Sequence, residues 1–181
     1  HGITGYQGLG ALGAAADGRH TVVVNHEEGA VTTLDAGSVV IATGSEVATI
    51  PGVELDGDRV FGSTEALSLS EVPKHLAVIG AGVIGMEMGS VWRRLGAQVT
   101  VFEYMDRLFP FADEAISKAA LRSFKKQGFD LRLGVAVQRT ELTDEGVRVV
   151  FRARGGEVDE ELVVDHVLVA VGRRPNTDGL G

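Results

Sequence analysis

Apolar and polar positions follow three rhythms in this chain. Leu76-Ala77-Val78-Ile79 is a short run with no polar residue, the pattern of a strand buried on both faces. From Ile84 the apolar positions change to helical spacing, Ile84, Met88, Val91, Trp92 and Leu95, and Gly96 supplies the stop. Val99-Thr100-Val101-Phe102 predicts a second strand, ending on Glu103. A helix is predicted over 113–127, with Asp113 as its cap, Ile116, Ala120 and Phe124 on its inner face and Gly128 as its stop. A third strand is predicted over 129–133. Period-two segments near 135–142, 147–153 and 158–164 follow, separated by Asp144-Glu145-Gly146 and Gly155-Gly156. They predict an antiparallel meander. A last buried strand is predicted over 166–171.

The first 72 residues are harder to read. A glycine-rich stretch runs to Gly18. Strands are predicted over 21–25 and 30–34, and Asp35-Ala36-Gly37 reads as a turn between strands. Ser38-Val39-Val40-Ile41-Ala42 has the composition of a buried parallel strand. Thr43-Gly44-Ser45 follows it, then a loop through Pro51-Gly52, a short helix over 63–69, and Pro73 at the entry to the next unit. The expected fold is α/β, a Rossmann-like parallel sheet with an antiparallel β-meander crossover and right-handed connections. The division expected is 1–72, 73–172 and 173–181, with no complete domain in the first segment.

Gly80-Ala81-Gly82-Val83-Ile84-Gly85 lies between the first strand and the first helix, and Glu103 stands about 20 residues on, the spacing of a dinucleotide-binding unit. Gly80 lets the chain turn sharply. Gly82 leaves room for a pyrophosphate against the backbone, and Gly85 lets helix and strand pack closely. The helix N-terminus offers free N–H groups and positive dipole to phosphate. Glu103 is placed to accept hydrogen bonds from the adenosine ribose hydroxyls and to repel a 2′-phosphate, which favours NAD over NADP. The bare alternative is a glycine turn that holds nothing.

Composition narrows the field. The chain has 181 residues and a net charge of -8, which argues against a nucleic-acid partner. No apolar stretch is long enough to cross a membrane and no secretory signal is visible, so a cytoplasmic setting is expected, or the mitochondrial matrix in a eukaryote. There is no cysteine, which removes disulfides, thiolate metal sites and cysteine nucleophiles from this chain. No metal-ligand spacing is present. The five histidines, His1, His20, His26, His75 and His166, read as structural or exposed, and no catalytic residue is assigned.

Three stretches carry a family resemblance. They are Ile41-Ala42-Thr43-Gly44-Ser45-Glu46-Val47, the run from Val78 through Trp92, and Gly172-Arg173-Arg174-Pro175-Asn176. Together they resemble the dihydrolipoamide dehydrogenase family, class I pyridine nucleotide-disulfide oxidoreductases, over essentially the whole chain. The resemblance implies an NAD-binding region over 73–172, flanked by parts of an FAD domain at 1–72 and 173–181. It implies that Gly80, Ala81, Gly82, Val83, Ile84, Gly85, Met86 and Glu87 form the NAD loop, with Glu87 toward the nicotinamide. Val137 is implied near the adenine, Gly172 at the NAD backbone contact, and Thr43, Gly44 and Ser45 beside the flavin nucleotide. Taken alone, Glu87 reads equally as a surface acid, Val137 as a core valine, Gly172 as a strand-end glycine and Thr43-Gly44-Ser45 as a polar turn.

The family's FAD glycine loop, redox cysteine pair, FAD-binding aspartate and interface domain with its His–Glu pair match nothing here. The resemblance therefore implies a parent that binds NAD and FAD, forms a homodimer and serves a 2-oxoacid dehydrogenase complex. The 181-residue chain by itself is expected to be inactive. Sibling NADH oxidases, mercuric reductases and glutathione reductases are the nearest rivals, and an NAD-holding module without catalysis is another. Glutathione reductases usually carry basic residues just after the second strand, where this chain has Glu103-Tyr104-Met105-Asp106.

Overall fold

A computed structural model describes residues 3–13 and 17–180. The chain divides into two compact units, His1–Glu46 with Pro175–Gly181, and Val47–Arg174.

In the first unit, β1 (Leu9–Leu12), β2 (His20–Asn25) and β3 (Val31–Ala36) form an antiparallel sheet in that order. Val22, Val23, Val24 and Asn25 are paired on both sides, Val22 opposite Leu12 and Leu34. The expected strands near 21–25 and 30–34 are present, but β1 comes from the glycine-rich stretch that no apolar run announces. The turn expected at Asp35-Ala36-Gly37 is displaced: Asp35 and Ala36 still belong to β3, and the chain bends only at Gly37. A separate reversal, between β2 and β3, is at His26–Ala30, closed by the His26 amide on the Ala30 carbonyl and by the Gly29 amide on the His26 carbonyl.

Ser38-Val39-Val40-Ile41-Ala42 is not a strand, and Val40 and Ile41 are 88% and 55% exposed. Among the described residues no strand pairs with it, and a parallel strand exists only through its hydrogen-bonded neighbours. Composition identified a segment suited to burial but could not supply those neighbours.

The short strands β4 (Ser45–Val47) and β13 (Arg173–Pro175) lie where the chain passes from one unit to the other and back. The second unit contains β5 (Val60–Phe61), α1 (Ser63–Ala66), β6 (His75–Ile79), α2 (Val83–Leu95), β7 (Gln98–Glu103), α3 (Glu114–Lys126) and β8 (Asp130–Leu133). It continues with β9 (Val135–Thr143), β10 (Gly146–Ala153), β11 (Asp159–Val164) and β12 (His166–Val169). The region expected over 73–172 lies inside this unit, which also takes in 47–72.

The main sheet is five-stranded, parallel, in the order β5-β12-β6-β7-β8. The meander is a separate antiparallel sheet, β11-β10-β9. Alternate residues of each parallel strand go to opposite faces. Leu76, Val78, Val99, Val101 and Leu168 join Met86, Trp92 and Phe129 in a core on the helix side. Ala77, Ile79, Phe102, Val167 and Val169 join Val147, Val149, Phe151 and Val164 on the meander side. Burial on both faces is why these strands read as unbroken apolar runs. Phe102 and Phe151 meet across the second core with ring centroids 4.7 Å apart.

Helices α2 and α3 form where expected, but the buried stripe matches the expected one only in part. In α2 the buried residues are Gly85, Met86, Gly89 and Trp92, while Ile84, Val91 and Leu95 are exposed. The two glycines, one turn apart, let α2 lie directly on the sheet, so the stripe follows small residues rather than large ones. A Cβ on Gly89 would already stand 3.2 Å from the Phe129 ring. In α3 the Asp113 carboxylate accepts from the Ala115 amide, as its capping position predicts. Ala120, Leu121 and Phe124 pack inward, whereas Ile116 is 59% exposed. Ser117 takes the first buried position and donates to the Leu108 carbonyl at 2.6 Å.

At the amino end of the parallel sheet His75 makes a 2.9 Å hydrogen bond through Nε2 to the Thr100 hydroxyl, which in turn donates to Asp130 at 3.2 Å. Burial holds the His75 imidazole below its ordinary pKa of 6.5. The Asp165 and Asp130 carboxylates partly offset that, and Arg132 reinforces it. With the folded-state value depressed, the unfolded chain takes up the proton first as pH falls below 6.5. The His75 contribution to stability is therefore present above that pH and lost below it. Thermal unfolding at pH 7.5 and 5.5 is expected to show a lower midpoint in acid, with the difference reduced in His75→Gln. An unchanged difference in the variant would remove His75 as its source.

Candidate dinucleotide site

Strand β6 ends at Ile79, and Gly80 turns the chain away at φ 106°. A Cβ there would stand 2.5 Å from the Ala170 carbonyl oxygen, so the carboxyl end of β12 presses directly on the loop. This left-handed turn and close approach together admit only glycine. The Gly80 amide donates to the Phe102 carbonyl at 2.8 Å, tying the loop to β7 as well. A Cβ on Gly85 would run into the Gly80 carbonyl oxygen and stand 3.1 Å from the Val78 side chain. Gly82 is the contrasting case, since an added Cβ would meet nothing within 4 Å.

Gly82 is also the N-cap of α2 and offers no side-chain cap. The first-turn N–H groups have no intrahelical partner, and no acid stands in that turn to offset the positive end of the dipole. Arg93 and Arg94 occupy the last turn, where cations are favoured. An open, uncapped helix N-terminus beside a glycine cradle fits an anionic phosphate group. Ala81, Gly85 and Met86 are buried beneath it, and Val83, Ile84 and Glu87 are on the exposed side.

Glu103 closes β7 and is only 8% exposed. Its Oε2 accepts the Ala81 amide at 2.7 Å and its Oε1 accepts the Met105 amide at 2.8 Å. The acid expected at the ribose is thus first a bracket across the glycine loop. Each carboxylate oxygen retains a second lone pair for another donor.

The other expected residues are distributed unevenly. Gly172 lies just beyond β12, two residues after the Ala170 carbonyl that abuts Gly80, and its own carbonyl accepts the Ala48 amide at 3.0 Å. Val137 is opposite Phe151 in the meander and packs into the second core. Thr43, Gly44 and Ser45 belong to the first unit. There the Thr43 hydroxyl donates to the Asn176 carbonyl at 2.5 Å, and the Asn176 amide donates to the Gly44 carbonyl at 3.0 Å. The structure thus brings 80–87, 103 and the end of β12 together in one place.

An apolar groove of about 810 Å³ runs from Gly82 and Val83 along α2 past Glu87 to Phe109, Phe111 and Ile116. The segment after Glu103, read as a plain loop through Pro110, forms one wall of it. Leu108, Phe109 and Phe111 were the available signal, because three apolar side chains around one proline are unusual in a solvated loop.

The pyridine nucleotide-disulphide oxidoreductase family profile matches residues 4–181. The chain belongs to that family. It is 52% identical over 164 residues to dihydrolipoyl dehydrogenase 3 of Pseudomonas putida, covering 91% of this chain and 35% of that protein. It is 49% identical over 176 residues to dihydrolipoyl dehydrogenase 3 of Pseudomonas aeruginosa, covering 97% of this chain and 35% of that protein. The crystal structure of LpdA from Mycobacterium tuberculosis superimposes with a TM-score of 0.81 at 30% identity, over 96% of this chain and 37% of that one. This family member thus spans about a third of the length of the relatives it matches. Its mixed parallel and antiparallel α/β architecture agrees with theirs.

Proposed function

We propose that this chain is the dinucleotide-holding part of a flavoprotein of the dihydrolipoyl dehydrogenase kind. The observation that carries the reading is the uncapped N-terminus of α2 at Gly82, with open space over it and Glu103 bracketing the loop beside it. In the whole protein NAD and FAD would supply the hydride and electron chemistry, with lipoamide as the disulfide substrate. This chain's residues bind and orient. The N–H groups at the start of α2 hold the pyrophosphate, Glu103 takes the ribose hydroxyls, and Glu87 stands toward the nicotinamide end. Gly172 and Val137 border the dinucleotide, and Thr43, Gly44 and Ser45 pass the flavin nucleotide. A homodimeric parent within a 2-oxoacid dehydrogenase complex belongs to the same reading. Among the described residues no helix is long and apolar enough to cross a membrane.

The absence of cysteine from the 181 residues favours a second statement: this chain alone holds the dinucleotide without turning over a disulfide.

The test is a fluorescence titration of the 181-residue chain with NADH and with NADPH. NADH is expected to bind more tightly. Glu103→Ala is expected to lower NADH affinity and to narrow the NADH/NADPH ratio. The ratio is the decisive number. Loss of the bracket on Ala81 would weaken both ligands alike, whereas loss of a carboxylate at the ribose weakens NADH and relieves NADPH. A preference for NADPH in the unaltered chain, or an unchanged ratio in the variant, would overturn the ribose assignment.

A further inference from the structure

Both backbone groups of Ala81 are gripped, one by the last residue of β7 and the other by the segment that follows it. Its N–H goes to the Glu103 carboxylate, and its carbonyl accepts the Phe109 amide at 3.1 Å. The peptide groups flanking this residue are fixed from two sides, and they lead directly into Gly82 and the first N–H groups of α2.

Phe109 holds its end of this grip in an unusual conformation. Its φ is 46°, in the left-handed region that a bulky side chain rarely enters. Such a conformation costs free energy and persists only where the surroundings over-determine it. Those surroundings are visible. The Phe109 ring meets the Phe124 ring of α3 edge-on at 6.2 Å, and Phe124 in turn meets Phe129 at 5.2 Å. The preceding residue, Leu108, is fully buried, and its carbonyl accepts the Ser117 hydroxyl. The Arg107 guanidinium donates to the Pro110 carbonyl at 2.7 Å. Packing against α3 therefore holds Phe109 in its strained conformation, and that conformation aims its amide at Ala81.

From this we infer that Phe109 is a positioning residue for the dinucleotide. It acts through Ala81 to set the direction in which the phosphate-binding N–H groups point. The inference rests on the phosphate-loop reading above and adds to it a mechanical link from α3 to the glycine loop. The ribose end is held by Glu103, one strand end away, and does not depend on Phe109 in the same measure. The link therefore predicts a selective defect. Ligands that carry the pyrophosphate suffer, and a ligand that carries only the nucleoside does not.

The experiment compares NADH with adenosine as ligands of the 181-residue chain, the first by fluorescence and the second by NMR titration. Phe109→Ala removes the ring that sustains the strain, and Phe109→Leu keeps an apolar anchor and a Cβ. Phe109→Ala is expected to weaken NADH by about tenfold while changing adenosine by less than about twofold. Phe109→Leu is expected to fall between it and the unaltered chain. Equal losses for both ligands, or no loss for either, would overturn the positioning role. A second measurement needs no variant: amide exchange at Phe109 in the unaltered chain is expected to slow when NADH is added, and unaltered exchange would count against the link. Failure of the unaltered chain to bind NADH would sink the phosphate-loop reading first, which separates the two claims.

Discussion

Gly82→Val is expected to weaken NADH binding by at least about 100-fold, a loss of roughly 2.7 kcal/mol, with little change in folding. The backbone at Gly82 has φ -77° and ψ -176°, a conformation any residue adopts. A Cβ built there meets no heavy atom within 4 Å. The protein therefore has no reason of its own to require glycine at this position. The space above Gly82 is open, and on the proposed reading it is where the pyrophosphate lies, so that a valine side chain would fill it. Valine is also a poorer N-cap than glycine, at a cost of no more than about 1 kcal/mol.

Gly82→Ser separates the two effects. Serine caps a helix well, so stability should hold or rise, while its side chain still intrudes on the phosphate and takes one of the N–H groups. Calorimetric melting and NADH titration of both variants decide the matter. Wild-type affinity in both would remove the pyrophosphate from this loop.

The parallel half of the fold and the meander were legible because their patterns follow from packing that lies close in the chain. Leu76-Ala77-Val78-Ile79 and Val99-Thr100-Val101-Phe102 are covered on both sides by α2, α3 and the meander, all within the same unit, so composition and environment agree. Ser38-Val39-Val40-Ile41-Ala42 carries the same signal and is uncovered, because no strand among the described residues pairs with it. Periodicity reports what a segment is suited to, and only tertiary context decides whether it is used. The stripe on α2 was misread for a related reason. Hydrophobic spacing weights large side chains, and here Gly85 and Gly89 form the contact.

The candidate site divides in the same way. Gly80, Gly85 and Glu103 are singled out by spacing, and the structure shows a geometric reason for the two glycines in the close approach of Ala170 and of the Gly80 carbonyl. The bracket from Glu103 to Ala81 was not legible, since it depends on where a β7 carboxylate sits relative to a loop at the end of β6. Phe109 was missed because a positive φ in a non-glycine residue leaves no mark on composition.

Gly85→Ala is expected to destabilise this unit by about 3 kcal/mol, at the upper end of overpacking costs. The added carbon would run into the Gly80 carbonyl oxygen, with the Val78 side chain at 3.1 Å and Ala170 Cβ at 3.3 Å. None of these neighbours can yield cheaply. Gly80 is anchored by its amide to Phe102, Val78 is fully buried, and the Ala170 amide is bonded to the Ile79 carbonyl at 2.8 Å. The remaining response is for α2 to lift from the sheet, which opens the contacts of Met86, Gly89 and Trp92 together. For a protein of this size the loss corresponds to a fall in melting midpoint of about 6–12 °C. NADH binding should weaken as well, because lifting α2 displaces the N–H groups proposed to face the phosphate. The two glycines thus predict opposite signatures: at Gly82 affinity falls while the melting midpoint stays, and at Gly85 both fall. A Gly85→Ala variant that melts with the unaltered chain would mean that helix and strand do not depend on this close approach, and the reason for glycine at that position would have to be sought in the ligand.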